Sequence, residues 1–135
     1  MARYLLDSNA FLWAKEGSPK LRKEALAEIR KTENVVFVSV AGLWELTLKA
    51  SRYKLASFAQ IVAGGADALH AALRDSGFRL LEIDLTHVAQ MYALPLHHGD
   101  PFDRLMIAQA LAENLTLITS DRVFTRYAGL RVLAA

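Results

Sequence analysis

The stretch DPFDRLMIAQALAENLTLITSD (100–121) decides the fold class. It opens as a helix opens. Asp100 stands where an N-cap side chain accepts a backbone amide, and Pro101 fits the first helical position. Asp103 puts negative charge in the first turn, where the helix dipole favours it. Asn114 ends the helix, and LTLIT (115–119) follows. That run is mostly apolar rather than alternating, as in a strand covered on both faces. Two residues after it comes Asp121.

The same alternation recurs on both sides of this stretch. RYLL (3–6), VVFVS (35–39), RLLEI (79–83) and LRVL (130–133) read as further short strands. Helical patterns lie between them. SPKLRKEALAEIRK (18–31) is expected to start on Ser18 as N-cap with Pro19 at the first position, and it sets Leu21, Ala25 and Ile29 on one stripe. Further helices are expected over 8–16, over 39–54, and over 65–77 with Gly77 as the stop. Strands alternating with helices predict a parallel α/β sheet of about five strands with right-handed crossovers.

Bulk properties agree. The chain has 135 residues, 53% hydrophobic and 22% charged, enough for a core and too apolar for disorder. Residues 1–135 read as one domain, without repeat or linker. There is no cysteine, which excludes disulfides, thiolate metal sites and cysteine nucleophiles. Asp7 interrupts any apolar signal core at the N-terminus. The longest uncharged stretch, LASFAQIVAGGA (55–66), falls far short of the roughly 20 residues of a spanning helix. A soluble, cytoplasmic protein with no membrane contact is expected. The net charge of +2 and pI near 9.0 are mildly basic.

Ligands of open parallel sheets bind beyond the carboxyl ends of the strands. Asp7 directly follows the first strand, and Asp121 follows the 115–119 strand. Asp103 lies in the first turn of the helix leading into that strand, and Glu45 in the second turn of the helix after 35–39. These four acids can converge at one rim, with Asp100 beside them. Each also has an ordinary reading. Asp100 and Asp7 suit helix caps, Asp103 suits a first turn, Asp121 suits a turn start, and Glu45 has Lys49 four residues on. All four together are harder to explain, because crowded carboxylates repel and raise one another's pKa values. A divalent cation removes that cost, and Mg2+ and Mn2+ take carboxylate oxygens without needing cysteine or histidine.

At this point the sequence resembles the PIN-domain ribonucleases, specifically the VapC-type toxins of bacterial toxin–antitoxin pairs. The matching segments are YLLDSNAFLW (4–13), VSVAGLWELTLKASRYKL (38–55), HHGDPFDRLMIAQALAE (97–113) and LTLITSDRVFTRY (115–127). The family's four acids fall on Asp7, Glu45, Asp103 and Asp121, and Ser8 fills the hydroxyl place after the first. The resemblance implies a three-layer α/β/α sandwich and a Mg2+- or Mn2+-dependent endoribonuclease held in check by a cognate antitoxin. It also implies a homodimer, and operator DNA bound only through the antitoxin complex. Hydrolysis of RNA by metal-activated water would leave 5′-phosphate and 3′-hydroxyl ends, with Glu45 as the acid best placed to take the proton.

Supporting roles are assigned more loosely. Ser8, Asn9, Thr119 and Ser120 are placed to orient acids or water, and Asp100 to cap the helix or orient the site. Arg104, Lys49 and Arg122 are candidates for RNA phosphates, with Arg52, Lys54 and Arg126 behind them. His97 and His98 read as loop histidines packed near the helix start, and His70 and His87, in helical patterns, receive no role. Trp13 and Trp44 read as core or partner packing. Phe11, Leu12, Trp13, Leu21 and Ile29 are offered as an antitoxin surface. A dehalogenase-like phosphatase needs an acid two residues after Asp7, where Asn9 stands. A receiver domain needs adjacent acids after the first strand and a late lysine, and neither is present. A catalytically silent binding module is the remaining alternative, and the retention of all four acids argues against it.

Overall fold

The structure is a computed structural model that describes residues 1–53 and 55–135, with Tyr53 described by its backbone alone. Its strands are β1 (Arg3–Leu6), β2 (Val35–Ser39), β3 (Arg79–Leu81), β4 (Thr116–Thr119) and β5 (Arg131–Ala134). Every pairing is parallel, and the order across the sheet is β3-β2-β1-β4-β5. The helices are α1 (Ser8–Glu16), α2 (Lys23–Arg30), α3 (Val40–Tyr53), α4 (Ala56–Ala63), α5 (Gly65–Asp75), α6 (Leu85–Ala93) and α7 (Pro101–Glu113). A 3-10 helix spans Arg122–Arg126.

Two cores explain why the strands are apolar throughout. Tyr4, Leu6, Val36, Val38 and Ile118 face one core, filled by Phe11 of α1, Ala25 of α2, Leu46 of α3, Phe58 of α4 and Leu73 of α5. Leu5 and Leu117 face the other, filled by Leu105, Met106, Ile107 and Ala110 of α7 with Phe124 and Tyr127. Successive strand residues point to opposite faces, so a sheet covered on both sides takes apolar residues at every position. This is the α/β/α sandwich expected from the sequence. Helix α7 is buried over Leu105–Ala110 without a break, so it carries almost no polar stripe.

Three local readings change. Ser18 and Pro19 do not begin a helix. Gly17 takes a left-handed conformation (φ 66°) that closes α1, and the Ser18 amide donates to the Trp13 carbonyl at 2.9 Å. The chain then makes a turn, in which the Ser18 hydroxyl accepts from the Lys20 amide, and α2 begins only at Lys23 with Arg22 before it. The uncharged stretch 55–66, read only for its hydropathy, contains α4, and Phe58 anchors it in the core. The strand expected over 79–83 is only three residues long, because it pairs with β2 alone and lies at the sheet edge.

The central strands should dominate stability. Leu117 is fully buried in β4, which pairs on both sides. Leu117→Ala is expected to cost about 3 kcal/mol, read as a lower urea midpoint with unchanged slope.

Candidate active site

The strand order reverses direction once. From β1 the chain steps outward through β2 to β3, then crosses back so that β4 lies on the other side of β1. The crevice beyond the carboxyl ends of β1 and β4 is therefore the position where such sheets bind ligands. Asp7 leaves β1 into it, and Asp121 leaves β4 into it.

Local capping chemistry holds each acid. Asp7 is buried and caps α1, accepting from the Ala10 amide at 2.8 Å. Ser8, also buried, donates its hydroxyl to Glu45 on α3. The other Glu45 oxygen lies 3.4 Å from the Lys49 ammonium. Asp100 caps α7, with one oxygen accepting from the amides of Phe102 (2.8 Å) and Asp103 (3.0 Å). Asp121 caps the 3-10 helix through Val123 at 3.0 Å, and its own amide donates to the Thr119 hydroxyl at 3.0 Å. Every ordinary reading of these acids as caps, turn starts or ion-pair partners is thus correct. The groups nevertheless also share one rim.

Asp103 is the hub. It can offer an oxygen within 4.8 Å of oxygens from Glu45 and Asp100, and it belongs to a second group of that size with His98 and Asp121. Burial pushes the Asp103 carboxyl up to about 7, and the charges of Glu45, Asp100 and Asp7 add to the rise, while His98 opposes it. Burial also raises the Asp7 carboxyl. Hydrogen bonds from Thr119 and Ala10 oppose that rise, and the charges of Glu45 and Asp121 reinforce it. Asp7 is in neither close group, but its charge is felt by the acids of both. A set of half-buried carboxylate oxygens, one of which holds its proton near neutrality through burial and the charge of its neighbours, fits a hard divalent cation.

His98, read from the sequence as a loop histidine packed near the helix start, also touches the acids. Its Nε2 lies 2.8 Å from Asp121 Oδ2 and 3.2 Å from Asp103 Oδ2. The only hint in the sequence is its place two residues before a capping aspartate.

The flanking residues divide. Lys49 and Arg52 line a shallow cleft of about 150 Å³ together with Glu45, Asp100 and Phe102. Arg122 lines another of about 200 Å³ with Arg22, Ser120 and Asp121. Arg22 had no place in the sequence reading. Arg104 turns elsewhere: its guanidinium donates to the carbonyls of Pro95 (3.0 Å) and Met91 (3.4 Å) and so ties down the end of α6. Arg126 lines neither cleft, Asn9 is exposed on the first turn of α1, and Lys54 lies outside the described residues. His97 packs edge-on against Tyr127. His87 is buried away from the rim, where it caps α6 and meets Glu113 at 3.1 Å. His70 lines an apolar pocket with Trp44, whose ring is half exposed and packs edge-on against Phe102. On the far side of α1, Trp13, Leu21, Leu26 and Ile29 line a groove of about 590 Å³. Of the five residues offered as a partner surface, Phe11 is instead core and Leu12 packs against it.

The sequence profile of the PIN domain family matches residues 4–130. The chain belongs to the PIN domain family. No curated protein sequence matches it significantly. Among solved structures, this PIN domain is similar to VapBC2 from Rickettsia felis bound to a promoter DNA fragment. The TM-score there is 0.73 at 22% identity, covering 98% of each chain. It is also similar to DNA-bound VapBC from Salmonella typhimurium, with TM-score 0.66, 17% identity, and coverage of 99% of this chain and 98% of that one. A third likeness is FitAcB from Neisseria gonorrhoeae, with TM-score 0.62, 22% identity and 96% of each chain.

The Asp103 shift has a sign that can be checked. Its carboxyl rises from 3.8 to about 7 on folding, so between those values the native state holds more protons than the unfolded chain. Stability contributed there falls as pH rises through that window. In EDTA, Asp103→Asn is expected to melt above wild type at pH 8, with the gap closing as pH falls toward 4. A gap independent of pH would contradict the shift.

Proposed function

We propose that this PIN domain is a divalent-cation-dependent endoribonuclease acting as the VapC-type toxin of a toxin–antitoxin pair. The observation that carries the reading is the convergence of Glu45, Asp100, Asp103 and Asp121 around one hub, with Asp7 behind them. Asp7, Glu45, Asp103 and Asp121 would hold Mg2+ or Mn2+. When bound, such an ion supplies a Lewis acid that makes water a better nucleophile and offsets charge on the scissile phosphate.

The protein's own groups have distinct roles in this reading. Glu45 takes the proton of the attacking water, and the Ser8 hydroxyl fixes the carboxylate for that step. Water adds to phosphorus and the bond to the 3′ oxygen breaks; the leaving oxyanion takes a proton from solvent, which leaves 5′-phosphate and 3′-hydroxyl ends. Ser120 and Asn9 are left as polar neighbours of the rim. Backbone phosphates of the RNA lie along Lys49 and Arg52 on one side and Arg122 with Arg22 on the other. Arg104 is the weakest of the proposed RNA contacts, since its hydrogen bonds already hold α6.

The partner is an antitoxin protein, and the groove lined by Trp13, Leu21, Leu26 and Ile29 suits an apolar helix from it. Operator DNA is bound through that complex, and the toxin itself is a homodimer. The VapBC likenesses support this reading. A cytoplasmic location follows from it, and among the described residues no helix is long and apolar enough to cross a membrane.

The test is cleavage of a mixed RNA pool with end mapping. Cuts are expected with Mg2+ or Mn2+, to vanish in EDTA, and to fall at least about 100-fold in Asp103→Asn. A 2′,3′-cyclic phosphate end contradicts the mechanism. A folded, cation-loaded protein that binds RNA and cuts nothing returns the domain to a silent binding module.

A further inference from the structure

We propose that His98 is a positioning residue that clamps Asp103 and Asp121 into one donor set, with its Nε2–H shared between their Oδ2 atoms. This rests on the reading of the rim as a cation centre. The ring is held at every polar point. Nδ1 accepts from the Asp100 amide at 3.0 Å, which leaves the proton of the neutral ring on Nε2. Nε2 then donates to Asp121 Oδ2 at 2.8 Å and reaches Asp103 Oδ2 at 3.2 Å. The His98 amide donates to the Tyr127 hydroxyl at 2.9 Å, and the ring lies edge-on to Phe124 with centroids 5.4 Å apart.

No other hydrogen bond among the described residues joins the Asp121 side chain to α7. Asp121 sits on the short turn after β4, and its Oδ1 is taken by the Val123 amide. Without the imidazole its Oδ2 faces solvent and repels Asp103. With it, two carboxylates from different elements are brought to one proton donor. Each Oδ2 keeps a second lone pair, so the same oxygen can accept Nε2–H and bind a cation. That is the usual arrangement by which a second layer of hydrogen bonds orients metal ligands. The Asp100 amide that fixes the ring belongs to the residue capping α7, so helix start, tautomer and acid pair form one unit.

Two measurements test this. Long-range 1H–15N spectra of the metal-free protein report which His98 nitrogen carries the proton. A proton on Nε2 alone is expected. A proton on Nδ1, or a ring averaging between tautomers, overturns the clamp whatever the site binds. Mn2+ affinity, read by electron paramagnetic resonance of the free ion, tests the consequence. His98→Ala is expected to weaken Mn2+ binding roughly 10–100-fold with circular dichroism unchanged. His98→Gln, whose amide can donate from nearly the same place, should recover part of the loss. An alanine variant that binds Mn2+ as tightly as wild type overturns the proposal. Tighter binding does so too, and means that the imidazole competes with the ion. Wild type with the Nε2–H tautomer but no affinity for Mn2+ or Mg2+ defeats the cation centre, and this proposal with it.

Discussion

Repulsion between like charges governs the rim. Carboxylate oxygens within 4.8 Å of one another, both ionised, cost about 3–4 kcal/mol per pair at an effective dielectric near 20. A helix cap returns only about 1 kcal/mol. The caps that hold Asp7, Asp100 and Asp121 fix where the oxygens stand, but they cannot offset crowding of that size. The balance has to close in another way. Asp103, held up first by burial and then by the charges of Glu45, Asp100 and Asp7, keeps its proton to about pH 7. A divalent cation would close the balance more completely, because it would let every acid ionise.

The fold supplies the rigidity that such crowding requires. The crevice opens between two central strands, each with a neighbour on both sides and both faces under apolar cover. Asp7 and Ser8 leave β1 directly into α1, so neither has a flexible loop in which to retreat from Glu45 or Asp121. The cations around the rim are held far more loosely. The Lys49–Glu45 pair is an i,i+4 contact with a half-exposed ammonium, worth only a few tenths of a kcal/mol. A phosphate would displace that contact at little cost. The acids are therefore fixed while Lys49 beside them is free to rearrange around an anionic ligand.

The sheet and most helices were legible because their signals are local. Mostly apolar, non-alternating runs such as LTLIT mark strands covered on both faces, and Asp100–Pro101 marks a helix start. The acids were legible because Asp7 and Asp121 directly follow strands while Asp103 and Glu45 lie in the first two turns of helices, and parallel topology brings those positions to one edge. What failed depends on backbone choices made elsewhere. Ser18–Pro19 looks like a helix start, but the left-handed Gly17 spends the Ser18 amide on closing α1. Helix α4 has no side-chain N-cap and little polarity, so it gives no start signal, and Phe58 packing anchors it. His98 was illegible for a different reason. Its role depends on Asp121, 23 residues away in sequence, and no spacing rule connects the two.

Arg104 shows how the rim stays negative. It follows the hub Asp103 in sequence, and a guanidinium turned toward the acids would neutralise them internally. It instead reaches the carbonyls at the end of α6, with the Tyr127 hydroxyl at 3.5 Å. The Met91 carbonyl also accepts the Leu94 amide at 3.2 Å, so the guanidinium reinforces the closure of α6 and is held by neutral acceptors. Tyr127 also accepts from the His98 amide, so the arginine that is withheld from the acids helps to frame the histidine that touches them. Among the described residues, five carboxyl groups crowd the rim, and the one ion pair between a lysine or arginine and any of them is Lys49 with Glu45. That shortage of close positive charge is what a cation bound at the rim would make good.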